Sequence, residues 1–196
     1  MLIVGITGTL GAGKGTVVDY LVRKKDFVHF SVRGHLSSEL NKRGMPVNRD
    51  TLTAIANELR AKHGPAHIIE QLYEQARQKG VACIIESIRT PGEIDALRKR
   101  QGFILLAVDA DARIRYNRIR KRNSETDRVS FQTFLQNEER EMHSDDPTRQ
   151  NLAECIRQAD FLIRNDGDMN ALNLQIECFY RKFVDTREKF PAKGRK

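Results

Sequence analysis

The chain has 196 residues, a formal net charge of +8, 39% hydrophobic and 31% charged residues, and no tryptophan. That is enough length for one domain with a real core, and the basic balance favours anionic partners: nucleic acid, anionic lipid or phosphorylated small molecules. No apolar run reaches membrane-spanning length, and Leu2–Ile6 lacks the basic flank of a signal peptide, so no membrane partner is expected. Cys83, Cys155 and Cys178 are far apart with no CxxC pair, which argues against a disulfide framework or zinc site and for a reducing, cytoplasmic location.

In chain order, "LIVGIT" is a short β-branched run that ends at glycine and reads as a buried strand. "GTVVDYLVRKK" has helical spacing, with Val17, Leu21 and Val22 on one side. "FVHFSV" is a second strand, and residues 34–44, 49–62 and 66–79 are three helices punctuated by "RGMPVN" and "KHGP". "VACIIES" is a third strand, and "PGEIDALRKR" a helix with Pro91 in its first turn. "FILLAVDA" is a fourth strand. "ARIRYNRIRKR" and "SFQTFLQNEEREMHS" are helices, the second with Ser130 as N-cap. "ADFLIRND" is a fifth strand, and Met169–Val184 a closing helix. Strands alternating with helices predict an α/β layered fold with a five-stranded parallel sheet, whose ligands sit outside the carboxyl ends of the strands.

The turn after the first strand carries the chemistry. Gly8-Thr-Leu-Gly11-Ala12-Gly13-Lys14-Gly15-Thr16 has GxxxxGK spacing, with Gly15 where Ser or Thr usually follows the lysine. Such glycines let successive backbone N–H groups point inward as an anion nest at a helix head. Lys14 would reach the outer phosphates, and the Thr16 hydroxyl suits magnesium. A carboxylate ending the third strand, Glu86, would orient the same ion, with Asp109 and Asp111 as second candidates. Arg33, Arg60, Arg89, Arg118 and Arg122 are the further cations that holding two anionic molecules end to end requires. Arg113–Arg128 holds seven basic and two acidic residues, and the tail 186–196 is basic and expected to be flexible. Lone His29 and His35 are expected to pack or face solvent, and the cysteines to be buried small hydrophobes.

"GTLGAGKGT" resembles the phosphate loop of adenylate kinase and the wider P-loop nucleoside monophosphate kinase group, and weaker likeness follows in order along the chain. "IIESIRTPGEIDAL" is similar to the segment where an Asp ends the third strand and an Arg follows, here Glu86 and Arg89; the resemblance implies that Arg89 grips the acceptor's phosphate. "YNRIRKR" resembles the helix leading to the mobile lid. That implies Arg118 against the ATP base and Arg122 on the phosphates. "RNDGD" resembles the loop that packs on adenine through its backbone, implying Asp166 and Gly167 there. The acceptor segment departs from that pattern: "FSVRGHLSSEL" offers Arg33 and no later Arg. "NRDTLTAIANELRAKHG" is similar to P-loop kinases that include deoxynucleotide and dephospho-coenzyme A kinase relatives.

Together these imply a P-loop domain over 1–185, with a helical acceptor-binding insert near 31–80 and a short lid near 123–150. The expected activity is Mg²⁺-dependent transfer of the γ-phosphoryl of ATP to a small phosphorylated acceptor, a nucleoside or deoxynucleoside monophosphate. Acceptor-hydroxyl transfer, as in dephospho-coenzyme A kinase, is the alternative; "FSVRGHLS" offers none of the Asp such kinases use as base, whereas a phosphate acceptor is already anionic. A nucleic-acid-binding or switch ATPase is the rival of another class. It is weakened by an aromatic content of 7% and no tryptophan for base stacking. Oligomeric state is left open.

Overall fold

The computed structural model describes residues 1–122, 129–146 and 149–185. Its centre is a five-stranded sheet, β1 (Ile3–Gly8), β2 (Val28–Ser31), β3 (Cys83–Glu86), β4 (Phe103–Asp109) and β5 (Phe161–Arg164). The strand order is β2-β3-β1-β4-β5, and every pairing is parallel. Among the described residues nine α-helices surround it: α1 (Lys14–Lys25), α2 (Val32–Lys42), α3 (Arg49–His63), α4 (His67–Lys79), α5 (Pro91–Arg98), α6 (Ala112–Arg122), α7 (Phe131–Met142), α8 (Leu152–Arg157) and α9 (Met169–Tyr180). A π-helical turn, Arg181–Asp185, follows α9.

The central strands β1, β3 and β4 are mostly apolar because both faces of the sheet are covered there, whereas the edge strands β2 and β5 carry exposed His29 and Arg164. Alternate residues go to opposite sides. Ile3, Cys83, Ile85 and Leu105 pack with α2, α3, α4, α5 and α8, whereas Val4, Ile6, Ile84, Leu106 and Val108 pack with α1 and α9. The result is a three-layer α/β sandwich.

Local signals set the helix ends. Ser31 caps α2, Ser130 caps α7, and Pro91 opens α5 behind the Thr90–Glu93 capping box. Three details differ from the sequence expectation. Val32 starts α2 rather than ending β2, because Ser31 takes the cap. The short helix α8, capped by Asn151, was not anticipated; six residues give too little periodicity to see. Cys83 and Cys155 are buried, as expected of small hydrophobes, but Cys178 is exposed.

The expected lid tip at 123–128 and the tail 186–196 lie outside the described residues. No helix among the described residues is long and apolar enough to cross a membrane.

Candidate active site

Parallel pairing brings the carboxyl ends of β1, β3 and β4 to one edge of the sheet. Ile6 pairs with Glu86, and Gly8 with Val108, so the glycine loop leaves β1 beside Glu86 on one flank and the end of β4 on the other. The loop's shape depends on residues without a side chain. Gly8 has φ +132°, and a Cβ there would fall 1.9 Å from the Val108 carbonyl oxygen. Gly13 has φ +98° and forms the head of α1, where a Cβ would fall 2.4 Å from Asn165 Nδ2. No side chain caps α1 and no acidic residue lies in its first turn, so its leading N–H groups remain available to an anion.

A cleft of about 730 Å³ opens in front of this loop. Its lining unites most of the predicted site: Gly11, Gly13, Lys14, Gly15 and Thr16 from the loop, Glu86 and Arg89 from the end of β3, Arg118 and Arg122 from α6, and Arg33 and Arg60 from α2 and α3. Val32, Leu36, Leu52 and Ala56 give one side an apolar wall. Gly8 and Ala12 lie behind the lining and shape the loop; Ala12 is fully buried, and its N–H donates to Thr9 O at 3.3 Å.

Lys14 is folded back onto its own loop, with Nζ donating to Gly8 O at 2.9 Å and Thr9 O at 2.8 Å. Burial, joined by the Arg89 guanidinium, pushes its amine down to about 8, against the opposing pull of Glu86 and Glu141. Burial acts to raise the Glu86 carboxyl, but the His29 hydrogen bond and the charges of Lys14 and Arg89 outweigh it and hold the group below its ordinary value. His29 Nε2 lies 3.3 Å from Glu86 Oε2. His29 is exposed and is not part of the cleft lining, in keeping with the expected solvent exposure, and it reaches the site only through Glu86. His35 is half-buried.

The arginines differ in their commitments. Arg89 Nη1 donates to Glu141 Oε2 on α7 and to Gln150 Oε1, each at 2.8 Å. Arg118 Nη1 is buried with no hydrogen-bond partner among the described residues, and its Nη2 approaches Asn165 Oδ1 at 3.5 Å. Arg60 is buried against Glu93. Arg33 is exposed at the rim, and Arg122 lines the cleft.

The remaining basic residues of α6 are divided. Arg115 is buried and pairs with Glu138 of α7, while its Nη1 and Nε donate to Leu10 O at 3.2 Å and Ala110 O at 2.7 Å. Arg113 lies over the Phe131 ring at 4.4 Å. The basic run is thus split between cleft, core and aromatic faces.

Four expected residues, Asp109, Asp111, Asp166 and Gly167, stand apart from the cleft lining. Asp109 accepts from Thr9 Oγ1 at 2.6 Å and from Arg164 Nη1 at 2.9 Å. Asp111 caps α6, accepting from the N–H of Arg113 at 2.8 Å. Neither lines the cleft: the Asp109 carboxylate ties the glycine loop to β5, and the Asp111 carboxylate holds the first turn of α6. Asp166 and Gly167 are exposed and also lie outside the lining; Asp166 accepts from the Asp111 N–H at 2.6 Å. Their neighbour Asn165 reaches the loop instead, donating from Nδ2 to Ala12 O at 2.8 Å. Ile163 is buried, Arg164 exposed and Asn165 buried, so the alternation of β5 carries one residue past its end and turns Asn165 inward.

A family model described as an AAA domain matches residues 4–144. The chain belongs to the AAA domain family. The chain is similar to a UPF0200 protein of Methanothermobacter thermautotrophicus, 29% identical over 99% of this chain and 97% of that one. Among solved structures it is similar to TT1252 from Thermus thermophilus, with TM-score 0.62, 18% identity and coverage of 93% and 98% of the two chains. It is also similar to a gluconokinase from Sinorhizobium meliloti, with TM-score 0.58, 10% identity and coverage of 96% and 97%. At such identities these likenesses concern the fold, and this AAA domain chain has a P-loop kinase-like fold.

Proposed function

We propose that the chain transfers the γ-phosphoryl group of ATP, with Mg²⁺, to a small phosphorylated acceptor, a nucleoside or deoxynucleoside monophosphate. The observation that carries this reading is one cleft shared by the phosphate loop, a strand-end carboxylate and five arginines.

The donor half fits a nucleotide triphosphate. The N–H groups at the head of α1 bind phosphate oxygens, and Lys14 leaves Gly8 O and Thr9 O to reach the outer phosphates. Thr16 and Glu86 would hold Mg²⁺, which characteristically binds one or two carboxylates together with substrate phosphates. When bound, the ion neutralises phosphate charge. The orphaned Nη1 of Arg118 gives the nucleotide a further donor. The acceptor half is the α2–α3 side, read as the acceptor-binding insert, where the Val32, Leu36, Leu52 and Ala56 wall suits an apolar ring and Arg33, Arg60 and Arg89 suit its phosphate. An acceptor phosphate oxygen attacks the γ-phosphorus, the bond to the bridging oxygen breaks, and ADP leaves; the arginines offset charge as it shifts. α7 is read as part of the lid, since its Glu141 closes onto Arg89.

A hydroxyl acceptor would require a base. Among the described residues, Glu86 and Glu141 are the carboxylates lining the cleft, and they are engaged by His29 and Arg89. That favours an acceptor that is already anionic.

ADP release should rise at least about tenfold over the acceptor-free rate when the matching monophosphate is supplied with ATP and Mg²⁺, because a bound, oriented acceptor replaces a chance water. Release that ignores every monophosphate but rises with RNA or DNA contradicts the reading and favours a nucleic-acid-dependent ATPase.

ATP affinity should also depend on pH. The free-state Lys14 amine titrates at about 8, and bound phosphate favours its charged form, so above that pH binding must take up a proton. Affinity then falls by up to about tenfold per pH unit above 8. Calorimetry in buffers of different ionisation enthalpy reads the proton directly; uptake that stays at zero from pH 7 to 9.5 contradicts this role for Lys14.

A further inference from the structure

Arg60 is the most deeply buried arginine among the described residues, with 1% of its side-chain surface exposed, yet it also forms part of the cleft wall. Its partner, Glu93, is 0% exposed. The pair is built asymmetrically. Arg60 Nε and Nη2 both donate to the same carboxylate oxygen, Glu93 Oε1, at 3.3 and 2.9 Å. The other oxygen, Oε2, accepts from the backbone N–H groups of Arg89 at 2.9 Å and Thr90 at 3.1 Å. Glu93 is thereby saturated.

A guanidinium is a rigid plane, so committing its Nε–Nη2 edge to Glu93 directs Nη1 away from it. Arg60 Nη1 is buried and has no hydrogen-bond partner among the described residues. A buried cationic donor left unpaired is costly, and native interiors rarely tolerate one without a use. Thr53, Ala56 and Arg60 are spaced i, i+3, i+7 on α3, so they share one helix face, and all three line the cleft.

We infer that Arg60, held by Glu93, is a buried seat for the non-transferring oxygens of the acceptor's phosphate, and that Glu93 is the positioning residue that makes it one. The inference rests on the phosphoryl-transfer reading above and deepens it by stating how the acceptor is recognised. Three features favour phosphate over carboxylate. Arg33, Arg60 and Arg89 all line the cleft, so donors from three guanidinium groups suit in number the three terminal oxygens of a phosphate, while Glu93 and Glu141 already offset the charge of Arg60 and Arg89. Glu93 ties the Arg60 side chain to the Arg89 backbone, so the two arginines are fixed relative to one another. The seat adjoins the apolar wall formed by Leu52 and Ala56 from the same helix, so an acceptor held by its phosphate places its ring on aliphatic surface.

The test uses the full chain, ATP with Mg²⁺, and the ribo- and deoxyribonucleoside 5′-monophosphates as probes. Arg60→Lys keeps a charge opposite Glu93 but has no second edge to offer. It should raise KM for the accepted monophosphate about 10- to 100-fold, the loss of one charge-assisted hydrogen bond, while KM for ATP stays within about twofold. A generally loosened fold would move both constants. Should the lysine variant not fold, the double variant Arg60→Met with Glu93→Gln removes the buried charges as a unit, a change that interiors tolerate better than breaking a pair; the same two constants are read. An acceptor KM within about twofold of wild type, or a parallel rise in both constants, overturns the seat and leaves the reaction standing. Equal Arg60 dependence with an unphosphorylated carboxylate acceptor overturns its assignment to phosphate. ATP binding with no monophosphate accepted by the wild type overturns the reaction and the seat together.

Discussion

Replacing Lys14 with alanine is expected to lower the rate of phosphoryl transfer by about 10²- to 10³-fold, the usual cost of removing one preorganised charged donor from a transition state. The expectation follows from where Lys14 sits. Its Nζ is held by two carbonyls of the loop that would cradle the phosphates, at 2.9 and 2.8 Å, inside the cleft that holds Glu86 and Arg89. Carbonyl oxygens are weaker partners for an ammonium than phosphate oxygens, so the lysine is stored close to its working position with little cost to leaving. The backbone N–H groups at the head of α1 survive the substitution, so ATP binding should weaken less than turnover does. Single-turnover measurements with saturating ATP separate the two effects. A Lys14→Ala rate within about threefold of wild type would show that the loop serves some purpose other than phosphoryl transfer.

The second large effect is on folding. Gly8→Ala should destabilise the protein by about 4 kcal/mol or more, in the range reserved for steric and backbone failures. The new Cβ would sit 1.9 Å from the Val108 carbonyl oxygen, a backbone atom in the adjoining strand that cannot rotate aside, and φ is +132°. Relief would require β1 and β4 to part at the point where the loop departs. Gly15→Ala is the matched control. Gly15 is exposed, and a Cβ there meets nothing within 4 Å. Its φ is outside the glycine-favouring range, so alanine at the start of α1 should leave stability within about 1 kcal/mol of wild type. Urea unfolding of the two variants reads the contrast; equal stabilities would contradict the account of the loop.

The parts of the site visible in the sequence are those whose signal is local. Gly8, Gly11, Gly13 and Lys14 declare themselves by spacing, because a backbone nest needs glycine at fixed offsets. Glu86 and Arg89 are legible because an apolar run ends just before them, and strand ends are where α/β sheets place their chemistry. The residues that position these groups are distant in sequence. Arg115 fixes the loop through Leu10 O and is itself held by Glu138 on another helix. No short-range pattern announces that arrangement, and α6 reads only as a basic run.

Two misses had a signal that could have been followed. Thr90-Pro-Gly-Glu93 has the spacing of a capping box, which would have singled out Glu93 as a carboxylate folded back on the chain. Continuing the strand alternation past Arg164 would have turned Asn165 inward and passed over Asp166. Asp109 and Asp111 mark the converse limit. Carboxylates at a strand end can be spent on the turn that follows, and only the three-dimensional partners Thr9, Arg164 and the head of α6 distinguish that from metal binding.

The most direct measurement follows labelled phosphate from γ-labelled ATP in the presence of Mg²⁺, with the nucleoside and deoxynucleoside monophosphates and dephospho-coenzyme A supplied one at a time. The account predicts label on a monophosphate, formed in step with ADP and absent with Lys14→Ala. Label recovered only as inorganic phosphate, whatever the acceptor, would contradict the central claim and make the cleft an ATP-hydrolysing site. Label on dephospho-coenzyme A alone would contradict the preference for an anionic acceptor oxygen.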